Sequence, residues 1–107
     1  MRLPADSIIA SGKITQYLLR RRPENDKSAF LALAGYREAT ADRLLADIRE
    51  QILTLEAEHI EETEYGTKYR IRGELVGPNG RALRILTIWM TESATKQTKF
   101  ITLFPDR

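Results

Sequence analysis

The sequence predicts an α+β domain in which two or three N-terminal helices pack on one face of a four-stranded antiparallel sheet. Three observations predict it. Up to Leu55 the apolar residues recur at helical spacing. From residue 57 onward they tend to alternate with polar ones, as strands do. Between the alternating runs stand Gly, Pro and Asn, the residues that tight turns need. Helices first and strands afterwards make a two-layer domain. A chain of 107 residues has the size of one core, so residues 1–107 are expected to form a single domain.

Ser11 offers an N-cap to a short first helix, in which Ile14, Tyr17 and Leu18 share one face. Arg20-Arg21-Arg22-Pro23 ends it, because proline disfavours the helical conformation of the residue before it. The three arginines are thus expected in an exposed loop. Asp26 is the N-cap expected for a second helix through Ala34, and Gly35 suits the left-handed residue that follows a helix. Residues 41–53 form the strongest helical pattern, with Leu44, Leu45, Ile48 and Ile52 on one stripe that continues to Leu55.

Residues 57–64 read as an acidic first strand, turned by Tyr65-Gly66 into a second strand over Thr67 to Val76. There Tyr69, Ile71 and Leu75 alternate with Arg70, Arg72 and Glu74, so one face packs and the other meets water. Gly77-Pro78-Asn79-Gly80 places Pro at the second position of a β-turn and Asn, tolerant of positive φ, at the third. Ala82 to Met90 is apolar on both faces apart from Arg84 and Thr87, the mark of a central strand. Its Trp89 reads as core. Thr91 to Thr98 is a polar loop, and Lys99 to Phe104 forms the last strand before Pro105.

Composition excludes several chemistries. Cys is absent, which removes disulfides, thiolate metal sites and a Cys nucleophile. The one histidine, His59, stands among Glu56, Glu58, Glu61 and Glu62 without the spacing of a metal-binding helix, so no metal and no cofactor are expected. There is no Gly-x-Ser-x-Gly elbow. The longest apolar run, Phe30 to Ala34, is far too short to span a membrane, and the start lacks a secretory h-region. A cytoplasmic protein without a membrane partner is the expectation.

The formal charge of +2 is unevenly spread. Residues 1–37 sum to +4, residues 38–64 to −7 and residues 65–107 to +5. A surface of one sign steers polyanions even when the total is small. Arg70 and Arg72 lie on one side of their strand, and Arg84 belongs to the hairpin partner, so their guanidiniums are expected to converge on a phosphate. RNA carries its own nucleophile, the 2′-hydroxyl, so its cleavage needs neither His nor a metal, and Tyr, Lys, Glu or Arg can move the proton. Tyr69 is a weaker candidate for that role, since its strand phase groups it with Ile71 and Leu75.

Several strings run together over nearly the whole chain: Lys13-Ile14-Thr15-Gln16-Tyr17-Leu18-Leu19, Lys27 with Phe30 and Gly35-Tyr36, Glu64-Tyr65-Gly66-Thr67-Lys68-Tyr69, Gly77-Pro78-Asn79-Gly80-Arg81, Thr87-Ile88-Trp89 and Thr102-Leu103-Phe104-Pro105. This pattern resembles a family of small uncharacterised bacterial domains found alone or at the ends of polymorphic toxin-like proteins. The order of helices and strands is also similar to the barnase, EndoU, colicin and RelE ribonuclease superfamily. The resemblance implies that Lys27, Arg81, Lys99 and Thr102 are site positions. Where it leads one to expect a His and an Arg around Lys27, the chain has Asp26 and Ala29.

Together these readings predict a metal-independent, RNA-directed ribonuclease-like domain of toxin type. Arg70, Arg72 and Arg84 would hold phosphate, Lys27 and Lys99 would support them, and Thr102 would orient or move a proton. The alternative is a non-catalytic interaction module that docks a small partner, an antitoxin or immunity-type protein, or pairs with itself through an edge strand.

Overall fold

A computed structural model describes residues 1–20 and 27–106. Strands β1 (Glu58–Thr63), β2 (Gly66–Val76), β3 (Ala82–Glu92) and β4 (Thr98–Pro105) form one antiparallel sheet in the order β1-β2-β3-β4. The short connections allow no other neighbours. Ahead of the sheet lie a π-helical turn at Lys13–Leu18, an α-helix at Ser28–Ala32, and the third helix at Ala41–Asp47, which runs on as a π-helical turn through Ile48–Ile52. This is the α+β arrangement that the periodicity predicts.

Alternation decides the faces. Tyr69, Ile71 and Leu75 on β2 stand opposite Trp89, Thr87 and Leu83 on β3, so these residues share the inner face. There they meet Ile14, Leu18 and Leu31 of the first two helices and the Leu44, Ile48, Ile52 stripe of the third, all fully buried. Ile52 and Leu55 lie directly over Gly73 of β2, which confirms the stripe as a sheet-packing surface. Leu45 is only partly buried, at its margin. Burial of each such Leu or Ile side chain contributes about 1.5–3 kcal/mol.

Polar groups inside this core are satisfied. Trp89 Nε1 donates to Thr87 Oγ1 at 2.8 Å, and Thr87 donates to the Ile71 carbonyl at 3.0 Å. Tyr36 donates its phenol proton to Asp47 Oδ2 at 2.6 Å, and Arg43 Nε donates to the same oxygen at 2.8 Å. Burial, reinforced by the bond to the carboxylate, pushes the Tyr36 phenol far above its ordinary range.

The β2–β3 turn is fastened to the second helix. Gly35 takes φ +93°, as its position after the helix predicts, and a side chain at Gly77 would collide with the Ala34 carbonyl. Asn79 donates its backbone N–H to Ala34 O (3.2 Å) and its amide to Leu33 O (3.0 Å). The turn sits at Gly77–Gly80 as expected, closed by the Gly80 N–H on the Gly77 carbonyl at 2.9 Å; Asn79 in its third position keeps a negative φ, and the left-handed residue is Gly80, at +84°.

Other details also differ from expectation. Ser11 is not the cap of the first helix: Gly12 precedes it with no side-chain cap, and the Ser11 carbonyl accepts from Thr15 instead. The Asp26 cap, together with Arg21 and Arg22, lies outside the described residues. The polar loop is shorter than Thr91 to Thr98, because Glu92 pairs through its backbone with Gln97 and Lys96, extending β3 and β4 at its expense. Pro105 closes β4 from within rather than stopping it beforehand.

The two edges of the sheet differ. All but the last residue of β1 are exposed. β4 is bridged by the N-terminal segment, with Ile8 N–H on Thr98 O and Phe100 N–H on Ile8 O, both at 2.8 Å.

Candidate functional site

A polar cluster of Tyr17, Lys27 and Thr102 lies against the β4 edge. In β4 an extra residue bulges opposite the Ile88–Trp89 step. Phe100 and Leu103 therefore both reach the core, while Thr102, opposite Ile88, turns to the outer face with Phe104, opposite Leu86. Lys27, the residue just before the Ser28–Ala32 helix, lies across this strand. Its Nζ donates to Thr102 Oγ1 at 2.6 Å and to Tyr17 Oη at 3.2 Å. The same ammonium sits 4.2 Å from the centroid of Phe104 and 5.0 Å from that of Tyr17. Tyr17 arrives from the first helix, held by its buried neighbours Ile14 and Leu18.

The electrostatics of this cluster are unusual. Lys27 is 9% exposed, and no carboxylate pairs with it among the described residues. Aromatic faces and hydroxyl dipoles compensate a buried ammonium only in part, so the position favours an anion. The Tyr17 phenol is held below its ordinary pKa, first by the hydrogen bond from Thr102 (3.4 Å) and then by that from Lys27, against the opposing effect of burial. Lys13, 5.5 Å from the Tyr17 ring, acts in the same direction. The arrangement can bind an anionic oxygen and exchange a proton beside it.

The arginines occupy the same outer face, farther across the sheet. The register forms rows of Arg70, Ile88 and Thr102, then of Arg72, Leu86 and Phe104, with Arg84 facing Glu74 beyond them. Arg72, Glu74, Arg84 and Asp106 line a shallow concavity of about 340 Å³. Arg70 stands outside it. Most of the cations on this face are already paired: Arg70 with Glu58 (3.1 Å), Arg72 with Asp106 (3.2 Å), Lys68 with Glu61 (3.4 Å) and Lys99 with Glu92 (2.9 Å). Arg84 has no ion pair among the described residues. Arg81 is exposed beside the turn, with its backbone N–H on Asn79 Oδ1. The structure thus brings Lys27 and Thr102 into contact and Arg72 and Arg84 into one concavity, and leaves Arg70 and Lys99 in separate ion pairs. Tyr69 lies on the inner face, edge-on to His59.

Among the described residues, no three His, Asp or Glu side chains gather as metal ligands, and no helix is long and apolar enough to cross a membrane.

The family model of a domain of unknown function, DUF6883, matches residues 4–107. The chain belongs to the DUF6883 family. No curated protein sequence matches it. Among solved structures, this DUF6883 domain is similar to one chain of a contact-dependent growth inhibition toxin–immunity protein complex from Klebsiella pneumoniae 342. The TM-score is 0.60 and the identity 16%, covering 94% of this chain and 100% of that one. At that identity the likeness is one of fold.

Two members of the cluster escaped prediction from the DUF6883 sequence. Tyr17 shares a helical face with Ile14 and Leu18 in the sequence, but it sits at the border of that stripe, half-buried and accepting from Lys27 at its hydroxyl. A hydroxyl-bearing ring at the polar margin of a short helix was the available signal. Phe104 reads as one more strand residue, whereas it is 43% exposed.

Proposed function

We propose that this domain is a toxin-type, RNA-directed nuclease whose working centre is Tyr17, Lys27 and Thr102. The observation that carries the reading is the buried Lys27 ammonium, without a carboxylate among the described residues, held between two hydroxyls, one of which is unusually acidic. Lys27 would bind a non-bridging phosphate oxygen and stabilise the charge that grows there as the 2′-oxygen attacks phosphorus. Tyr17, as phenolate, would take the 2′-hydroxyl proton, and Thr102 would fix the positions of both. The P–O5′ bond breaks, Lys27 supplies the proton that the 5′-oxygen needs, and the products are a 2′,3′-cyclic phosphate and a 5′-hydroxyl. Tyr17 then returns its proton to Lys27 across their direct hydrogen bond. Arg84, which has no ion pair among the described residues, would hold a neighbouring phosphate, while Arg70 and Arg72 stay in their exposed pairs with Glu58 and Asp106.

The fold likeness to a chain of a toxin–immunity complex supports a role in such a system, with a small immunity-type protein as partner. The test is incubation of RNA with the purified domain in the presence of chelator, with analysis of the product ends. Cyclic phosphate ends that vanish in Lys27→Met and Tyr17→Phe support the reading; intact RNA with folded wild-type protein refutes it. In that event the better account is a docking module. The observation favouring it is the open β1 edge, with Ile60 40% and the adjacent Tyr65 70% exposed.

A further inference from the structure

Phe104 is the large aromatic that the outer face leaves uncovered, and it stands between two cations that lack carboxylate partners among the described residues. Lys27 Nζ occupies one side of the ring at 4.2 Å. Two residues farther along the chain, just past the end of β4 and about 6.7 Å away at strand rise, Asp106 borders the concavity that holds Arg84. Opposite Phe104 lies Leu86, and next to it Ile88, both half-buried, so the floor around the ring is apolar. An exposed ring on a partly apolar floor, with a cation on either side that has no ion pair among the described residues, fits a ligand that alternates anionic and aromatic groups at similar spacing. A protein or lipid partner would not require that alternation.

We propose that Phe104 is a base-stacking platform, and that the substrate class of the site is unpaired, single-stranded RNA. The inference rests on the nuclease reading, in that Lys27 is taken to hold the scissile phosphate. The base next to that phosphate stacks on the solvent side of the Phe104 ring, and the following phosphate reaches Arg84. A base within a duplex is already stacked on its neighbours and paired, so it cannot lie on a ring set into a sheet face without being pulled out. Every base has an aromatic face, so the platform selects strandedness and position rather than sequence.

The test uses 2′-O-methyl oligoribonucleotides, which bind without being cleaved, carrying 2-aminopurine and an end-label for anisotropy, in single-stranded and duplex form. Wild-type protein is expected to prefer the single strand and to quench the aminopurine at one register. Phe104→Leu, which keeps an apolar side chain, is expected to bind about 5- to 140-fold more weakly and to leave the aminopurine bright; Phe104→Trp should restore both. Thermal melts identify any variant that does not fold. If Phe104 only supports Lys27, the Leu variant lowers the cleavage rate while binding and quenching persist, and the platform is refuted with the nuclease intact. If wild type binds and quenches but cleaves no unmodified RNA, the nuclease reading falls and the platform stands. Equal affinity for single strand and duplex also overturns it.

Discussion

The two edges of this sheet treat charged side chains in opposite ways. On β1, Glu58 and Glu61 stand in water and reach across to Arg70 and Lys68 of the next strand. Glu58 and Glu61 each have a partner there, and solvent screens the pairs, so the edge gains solubility and little stability. On β4, Lys27 is brought in from a helix, stripped of most of its water and given hydroxyls and rings in place of a carboxylate. The difference teaches that the number of cations in a segment says little about anion binding. What matters is which of them the fold leaves electrostatically incomplete.

Breaking that asymmetry should produce effects of very different size. Lys27→Met removes the incomplete charge and should lower RNA cleavage at least about 10²- to 10³-fold; Arg70→Gln, which removes a completed one, should change it less than about threefold, since an exposed pair contributes little. Product analysis of the two variants side by side decides it, and equal losses would erase the distinction between the edges.

The next effect is on stability. Ile48→Ala, under the sheet and fully buried, should cost about 2–5 kcal/mol, whereas Ile60→Ala on the β1 edge should stay within about 0.5 kcal/mol. Denaturant midpoints measure both.

Alkaline titration should sharpen the contrast. The folded-state pKa of Tyr36 is raised above its ordinary 10.0, so its contribution is complete below that pH and is lost as pH rises further. Tyr17 is shifted the other way, so the phenolate that would abstract the proton appears below 10.0. Cleavage should therefore climb with pH before the fold begins to weaken, and Tyr17→Phe should abolish the climb without moving the unfolding onset. A rate that is flat over that range would remove Tyr17 as the base.

Smallest of all should be the response to salt and chelator. With Lys27 and Arg84 on phosphate, log K against log salt should have a slope near −1.4. Chelator should leave the melting midpoint unchanged.

Much of the fold was legible because it depends on patterns within single elements. The alternation of Tyr69, Ile71 and Leu75 with Arg70 and Arg72 assigns the two faces of β2, and the Leu44, Ile48, Ile52 stripe identifies the surface that covers one of them. The π-helical turns and the β4 bulge were not legible, since each is a one-residue departure from the regular period. The cluster was legible only in part: Lys27 and Thr102 stood out through a family resemblance, and nothing in their spacing joins residues 75 positions apart. The +5 of residues 65–107 overstated the basic face for a related reason. Glu58 belongs to another charge block, and Asp106, though counted within this one, is far from Arg72 in sequence and beside it in space.

Because Thr102 lies in the last strand, the order of synthesis has a consequence for the cell that makes this domain. Tyr17 and Lys27 are made before the sheet, and the hydroxyl that bonds them is added 75 residues after Lys27 and reaches them only after β4 has zipped onto β3. Until then the nascent chain keeps Thr102 apart from the other two side chains. A partner protein that recognised the growing hairpins would have the interval in which β3 and β4 are made to engage the domain before that cluster was complete.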